Sequence, residues 1–253
     1  MTEFTISKKA FTDFLDTFGK GLEDIALRVQ ESGITASVGT MTHYIKRDAS
    51  ADVVEEGTMH IGNLDKVRTF MKSSGGDDIT LDQQSTSGML NGICANSKLQ
   101  LPGTNYIKSQ REVHLIEKLI SESEAADWKH WVGDKLTCHA TISSVHLRPV
   151  ANMAKVVGDK LTCKARFDAM DMEMVFHAGK ATSGKMFVRV PIHDSWGPDM
   201  GVESTFAHWL PELMGTVPNG DVKVHTGEST VLVITQEDTG YLLVVMDQQF
   251  EED

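Results

Sequence analysis

Cysteine is scarce: the 253 residues include three, Cys94, Cys138 and Cys163, and no CxxC pair. So few thiols at such spacings make no disulfide framework, which excludes a stapled secreted scaffold and fits a reducing compartment. Long apolar runs are also missing. Nothing approaches the roughly 18 apolar residues of a membrane helix, and the opening MTEFTISKKAFTDF has no apolar core of the kind a signal peptide carries. A soluble, intracellular protein is expected. Basic charge is short as well, with 24 Lys and Arg against 36 Asp and Glu and a net charge of -12. That balance excludes a surface that coats nucleic acid uniformly, while a local basic stripe stays open. Finally, no nucleophile elbow, dinucleotide-type glycine motif or HExxH occurs, so nothing in the motifs argues for catalysis.

What is present is ordinary globular composition, 40% hydrophobic and 24% charged, in a chain long enough for two domains. Four segments carry helical periodicity. Residues 7–19 place Ala10, Phe11, Phe14, Leu15 and Phe18 on one face, with Ser7 as N-cap and Gly19 closing. Residues 63–73 do the same with Leu64, Val67, Phe70 and Met71, and residues 143–156 with Val150, Met153 and Ala154 despite Pro149. The fourth segment, 205–215, carries Phe206, Trp209, Leu210, Leu213 and Met214, with Pro211 near its start. Between them lie short alternating or apolar runs separated by turns such as Ser32-Gly33, Gly75-Gly76 and Asn219-Gly220, and these read as strands. The order in the first half recurs in the second. Residues 1–108 and 135–253 are expected as two like domains, joined by a connector over 109–134 that holds Glu122, Glu124, Trp128 and Trp131.

Charge is not spread evenly over this plan. The segments 7–20, 63–73, 143–156 and 205–215 hold eight basic and four acidic residues, while the rest of the chain holds 16 and 32. The basic residues are Lys8, Lys9, Lys20, Lys66, Arg68, Lys72, Arg148 and Lys155. Helix surfaces favour Lys and Arg in any case, so the split alone leaves an ordinary solvated face and a polyanion-facing surface both open.

Three other features point less far. Residues 179–185, GKATSGK, approach a phosphate-binding loop, but Met186 stands where a hydroxyl is needed and the chain continues as a strand. The heptapeptide VGDKLTC occurs twice, at 132–138 and 157–163. Two turn-then-strand starts with inward thiols are the favoured reading, with a cysteine metal pair as the alternative. His130, His139 and His146 lie near Cys138 without a recognised ligand spacing, so no metal or cofactor is expected.

The order of elements, with several local words, resembles the two-domain DNA sliding clamps, the family of proliferating cell nuclear antigen (PCNA) and the clamps of tailed phages. Ile6-Ser7-Lys8-Lys9-Ala10-Phe11 is similar to the family's first-helix start, and Glu31-Ser32-Gly33-Ile34 with His43 to the strands after it. Residues 63–73 followed by Asp77-Asp78-Ile79-Thr80-Leu81 resemble the second helix, turn and strand. Residues 206–216, the strand 241–246 and the acidic end Glu251-Glu252-Asp253 resemble the close of the second domain. The likeness spans nearly the whole chain. It departs in the longer acidic connector and in a last helix that lacks Lys and Arg.

The resemblance implies an α+β fold: two similar clamp domains, each with two helices on antiparallel sheets, assembling head to tail into a six-domain ring, hence a homotrimer. It implies a processivity factor that encircles double-stranded DNA without reading sequence, tethers a DNA polymerase, is placed by a clamp loader, and has no active site or membrane partner. The DNA-facing residues would be Lys8, Lys9, Lys20, Lys66, Arg68, Lys72, Arg148 and Lys155, since mobile cations on phosphates permit sliding. A groove for partner peptides would use Val38, Met41, His43, Tyr44, Tyr106, Ile107 and Val245. Such a protein works where DNA is replicated, in cytoplasm or nucleus, or in a host's cytoplasm if viral. The alternatives are a clamp-fold monomer or hetero-ring subunit, and an unrelated metal-dependent α+β enzyme using Cys138, Cys163 and nearby histidines.

Overall fold

The computed structural model describes residues 1–19, 21–40, 43–103, 110–132, 134–157, 163–168, 172–180, 184–196, 202–206, 210–227 and 231–246. Residues 1–38 with 45–111 form one compact unit, and residues 39–44 with 112–253 form another. The class is α+β with antiparallel pairing throughout the registers described, as expected. No helix among the described residues is long and apolar enough to cross a membrane.

In the first unit the elements are β1 (Thr2–Ser7), α1 (Lys8–Asp16), β2 (Asp24–Gln30), β3 (Gly33–Gly39), β4 (His43–Ala49), β5 (Asp52–Glu55), β6 (Gly57–Gly62), α2 (Leu64–Ser73), β7 (Asp78–Gln83), β8 (Leu90–Cys94) and β9 (Ser97–Leu101). One sheet runs β5-β1-β7-β8-β9, and β4-β3-β2-β6 are neighbours in a second. Alternation decides the inward face of β1: Thr2, Phe4 and Ile6 are buried, and Phe4 and Ile6 sit opposite Leu81 and Ile79 of β7. On α1, Phe11, Phe14 and Leu15 are buried, and the ring series Phe4–Phe11–Phe14–Phe18 has centroids 6.1, 6.1 and 5.4 Å apart. The Ser7 hydroxyl accepts from the Ala10 amide at 3.2 Å, the N-cap that its position suggested. Gly33 opens β3 at φ 132, where an added Cβ would run into the Ala49 carbonyl.

The second unit comprises α3 (Gln110–Ala125), β10 (His130–Trp131), β11 (Asp134–Lys135), β12 (Cys138–Ser143), a 3-10 turn (Ser144–Leu147), α4 (Arg148–Ala151), α5 (Met153–Val157), β13 (Cys163–Asp168), β14 (Glu173–Lys180), β15 (Gly184–Trp196), β16 (Val202–Phe206), α6 (Leu210–Met214), β17 (Asp221–Thr226), β18 (Val231–Gln236) and β19 (Tyr241–Met246). Its strands are ordered β16-β13-β14-β15-β12-β17-β18-β19. Val231 to Ile234 and Leu242 to Val245 bury both faces of β18 and β19, which accounts for their continuous apolar runs, while in β17 the buried Val222 and Val224 alternate with exposed Asp221 and Lys223.

The two units repeat one hydrogen-bonding plan. The strand before the helix pairs with the strand after the second helix, β1 with β7 and β12 with β17. The next three strands then run as a meander, β7-β8-β9 and β17-β18-β19. β2 pairs with β3 and β6 as β13 pairs with β14 and β16, and the late part of β15 meets β12 as β5 meets β1.

Three expectations differ in detail. The helix expected over 143–156 is broken into the 3-10 turn, α4 and α5, because Pro149 has no amide to donate and the Asn152 side chain turns back to the Arg148 carbonyl at 3.1 Å. Of the helix expected over 205–215, the described residues carry Leu210–Met214 as helix, and 207–209 lie outside the described residues. Thr205 and Phe206 belong to β16, where Phe206 is in register with Cys163, and Pro211 suits a helical first turn better than the middle of a helix. The connector segment, expected as a linker, carries the 16-residue helix α3.

Candidate nucleic-acid interface

The helices place the expected cations in two classes. Lys8 is half-buried, and its ammonium donates to the carbonyls of Met71, Ser74 and Gly75 at 3.2, 2.8 and 3.3 Å, the carboxyl end of α2. Arg68, with 11% of its side chain exposed, donates from Nη2 to the carbonyls of Leu15 and Gly19 at 3.1 and 3.3 Å, the carboxyl end of α1. Each helix therefore supplies the cation that satisfies the other's last carbonyls, where the helix dipole favours positive charge. Asp16 and Asp65 add ion pairs to Arg68 at 3.8 and 3.7 Å. Arg47 also donates to the Asp13 carbonyl at 2.8 Å and to the Thr17 hydroxyl.

Lys9, Lys66 and Lys72 are exposed. In the second unit Arg148 and Lys155 are exposed too, and they bond neutral acceptors, Asn219 Oδ1 at 2.8 Å and Asn152 Oδ1 at 3.0 Å. A neutral acceptor leaves the positive charge uncompensated, which suits a phosphate contact. Lys20 lies outside the described residues. The fourth helical segment adds Glu212, exposed, and no cation.

Of the residues expected to line a peptide groove, Val38, His43, Tyr44 and Val245 lie among the described residues. Val38 and His43 are half-buried, and burial pulls the His43 imidazole below its ordinary pKa. Tyr44 and Val245 are buried, 1% and 0% exposed. Tyr44 packs with Ile116, Ile120, Trp128, Trp131, Leu136, Val231, Val233, Leu242 and Val244. Tyr44 is thus covered by aliphatic residues of α3, Ile116 and Ile120, and by the indoles of Trp128 and Trp131 that follow the helix. Met41, Tyr106 and Ile107 lie outside the described residues.

No group of three or more His, Cys, Asp or Glu gathers to hold a metal among the described residues. Cys94 and Cys138 are buried, and desolvation pushes the Cys94 thiol above its ordinary pKa. Most of the second heptapeptide copy and the middle of GKATSGK lie outside the described residues; Cys163 opens β13, as Cys138 opens β12. Two features had no sequence signal. The reciprocal caps by Lys8 and Arg68 depend on two helices meeting, and the His139–His225 pair, with Nδ1 atoms 2.8 Å apart, depends on the β12–β17 register.

No protein-family model matches the chain, and no curated protein matches its sequence. Solved structures do. PCNA of A. fulgidus, bound to the C-terminal region of FEN-1, superposes with a TM-score of 0.70 over 100% of both chains at 11% identity. PCNA of Thermococcus kodakaraensis gives 0.68 at 13% identity, covering 98% of this chain and 100% of that one. A PCNA2–PCNA3 complex of Sulfolobus tokodaii gives 0.67 at 10% identity, covering 97% and 99%. Likeness of this extent at such low identity is likeness of fold: the chain has the DNA sliding-clamp fold from end to end.

Proposed function

We propose that this protein is a DNA sliding clamp, a processivity factor that closes as a homotrimer around duplex DNA and tethers a polymerase. The observation that carries the reading is the end-to-end match to a two-unit clamp, with 100% of each chain covered. Two like units per chain make six per trimer, and head-to-tail contacts between edge strands close such a ring. β9, terminal in its sheet, is one edge available for that contact.

In this reading Lys9, Lys20, Lys66, Lys72, Arg148 and Lys155 meet phosphates, and Lys8 and Arg68 hold α1 and α2 in the orientation that presents them. Lysines on mobile stems neutralise phosphates without base-edge hydrogen bonds, so no sequence traps the ring. The acidic remainder of the chain disfavours DNA on other surfaces. The polymerase and a clamp loader dock as peptides near Val38, Met41, His43, Tyr106 and Ile107, at sites of replication inside the cell; the A. fulgidus neighbour holds such a segment, from FEN-1. The protein carries no chemistry of its own.

Light scattering across a dilution series tests the assembly. A mass three times 27.9 kDa is expected. A persistent monomer would remove the self-closing ring and favour a hetero-ring subunit, a reading to which the PCNA2–PCNA3 neighbour lends support.

A further inference from the structure

His139 on β12 and His225 on β17 are direct cross-strand neighbours, both buried, at 6% and 3% exposure. Their Nδ1 atoms are 2.8 Å apart and their rings meet edge to face, centroids 5.1 Å apart. A contact between two ring nitrogens holds one proton, with one ring donating and the other accepting. Trp128 stacks on His225, centroids 5.9 Å apart at an interplanar angle of 27°.

Trp128 belongs to the turn that ends α3. Asp127 and Trp128 are left-handed, φ 53 and 54, and the Trp128 amide returns to the Ser123 carbonyl at 2.9 Å. The Leu136 amide then closes on the Lys129 carbonyl at 2.9 Å around the β10–β11 hairpin. Helix, turn and hairpin therefore form one local piece. It meets the sheet through the apolar residues Ile116, Ile120, Trp131 and Leu136, and through the Trp128 stack.

We propose that the His139–His225 pair is an acid-sensitive latch: sharing one proton, it holds Trp128 and with it α3 and the hairpin against the sheet, and further protonation from solvent releases this piece. With a proton on both Nδ1 atoms, two donors face each other and charge is buried. Besides burial, a hydrogen bond to the Leu136 backbone and the charge of Asp127 favour the charged form of His139 while Lys129 opposes it, and His139 and Lys223 oppose the charged form of His225. The register neighbours across the sheet, Trp196 of β15 and Val233 of β18, carry no charge. Glu122 and Glu124 of α3, His130 of β10 and Lys135 of β11 are exposed. Burial dominates this set. It holds His225 down to about 3 from 6.5 and lowers His139 as well. Once open, both rings regain water and their ordinary affinity for protons. Opening therefore becomes easier below the ordinary histidine pKa, by up to about tenfold per pH unit for each ring that gains a proton.

Amide hydrogen exchange of the full chain between pH 7.5 and 5, corrected for the chemical rate, tests this. Protection over residues 116–131 is expected to fall about tenfold per pH unit below the ordinary histidine range, with α1 and α2 unchanged. The double variant His139→Phe, His225→Phe keeps two rings without titratable nitrogen and should show no such slope; His43 remains in both proteins, so the comparison isolates the pair. A flat wild-type profile, or an equal slope in the variant, overturns the latch. Should the variant not fold, ring nitrogen shifts of the wild type decide. Rings that stay neutral until protection is lost uphold it, and rings that titrate near 6.5 while residues 116–131 stay protected overturn it.

Discussion

At the residue scale, the eight helix-borne cations of the sequence divide by what their charge is used for. Arg68 spends its guanidinium on the carbonyls of Leu15 and Gly19, so Arg68→Ala should destabilise the protein by about 2 kcal/mol, the usual loss for a charge-assisted bond inside a fold. Denaturant titration reads that loss. By contrast the exposed Lys9, Lys66 and Lys72, changed together to Ala, should leave the denaturation midpoint in place and reduce the salt slope of binding to linear duplex by up to roughly 8 per trimer, about 0.9 for each of the cations removed. An unchanged slope would remove these three from the phosphate contacts. The buried histidines add a pH dependence whose sign is clear. His139 and His225 have lowered pKa values in the fold, so their contribution to stability is complete above the ordinary value of 6.5 and declines as pH falls, through the range down to about 3 for His225. Chemical denaturation at pH 7.5, 6 and 5 should give a decreasing free energy, and the double Phe variant a flatter series.

At the scale of elements, legibility followed from how local the determining forces are. α1 and α2 were readable because apolar spacing lies within each element, and α1 has its cap there as well: Ser7 caps at the expected place, and Ser7→Ala should cost about 1 kcal/mol in thermal or chemical unfolding. Strands β7, β8, β18 and β19 were readable from alternation or apolar runs bounded by turns. β4 and β5 were not, because Lys46, Arg47, Asp48 and Asp52 give them a polar pattern that only pairing with neighbours makes a strand. Phe206 could serve a helix or a strand by its own preference, and its register with β13 decided for the strand. Residues 110–125, rich in Glu and Ser, looked like a linker, and the helix there gains its place by setting Ile116 and Ile120 against an apolar sheet. Gly33 is a firmer local prediction. Gly33→Ala meets both a left-handed backbone and the Ala49 carbonyl, and should lower stability by roughly 1–3 kcal/mol in the same assay.

At the scale of the whole molecule, one hydrogen-bonding plan appears twice in one chain, and the proposed ring follows from repeating it three times over. A closed ring holds DNA by topology more than by affinity. The protein, once loaded on a nicked circular duplex, should stay bound at salt concentrations that screen phosphate contacts, and should leave when the circle is cut. Equal release from circular and linear DNA would sink encirclement while leaving the fold untouched. The acidic balance of the chain and the basic balance of its helices belong to this scale too, since a field is a property of summed charges.

The sequence by itself determined the class, the two-fold internal plan, the N-cap of the first helix and the inward residues of most strands. These depend on periodicity, turn chemistry and side-chain size, all of which are local. Tertiary structure alone decided which cations stay exposed, that Tyr44 and Val245 are buried, and that His139 meets His225. Each of these requires two segments far apart in the chain to arrive at one place, Lys8 with Ser74 or His139 with His225 across 86 positions, and no local pattern encodes that meeting.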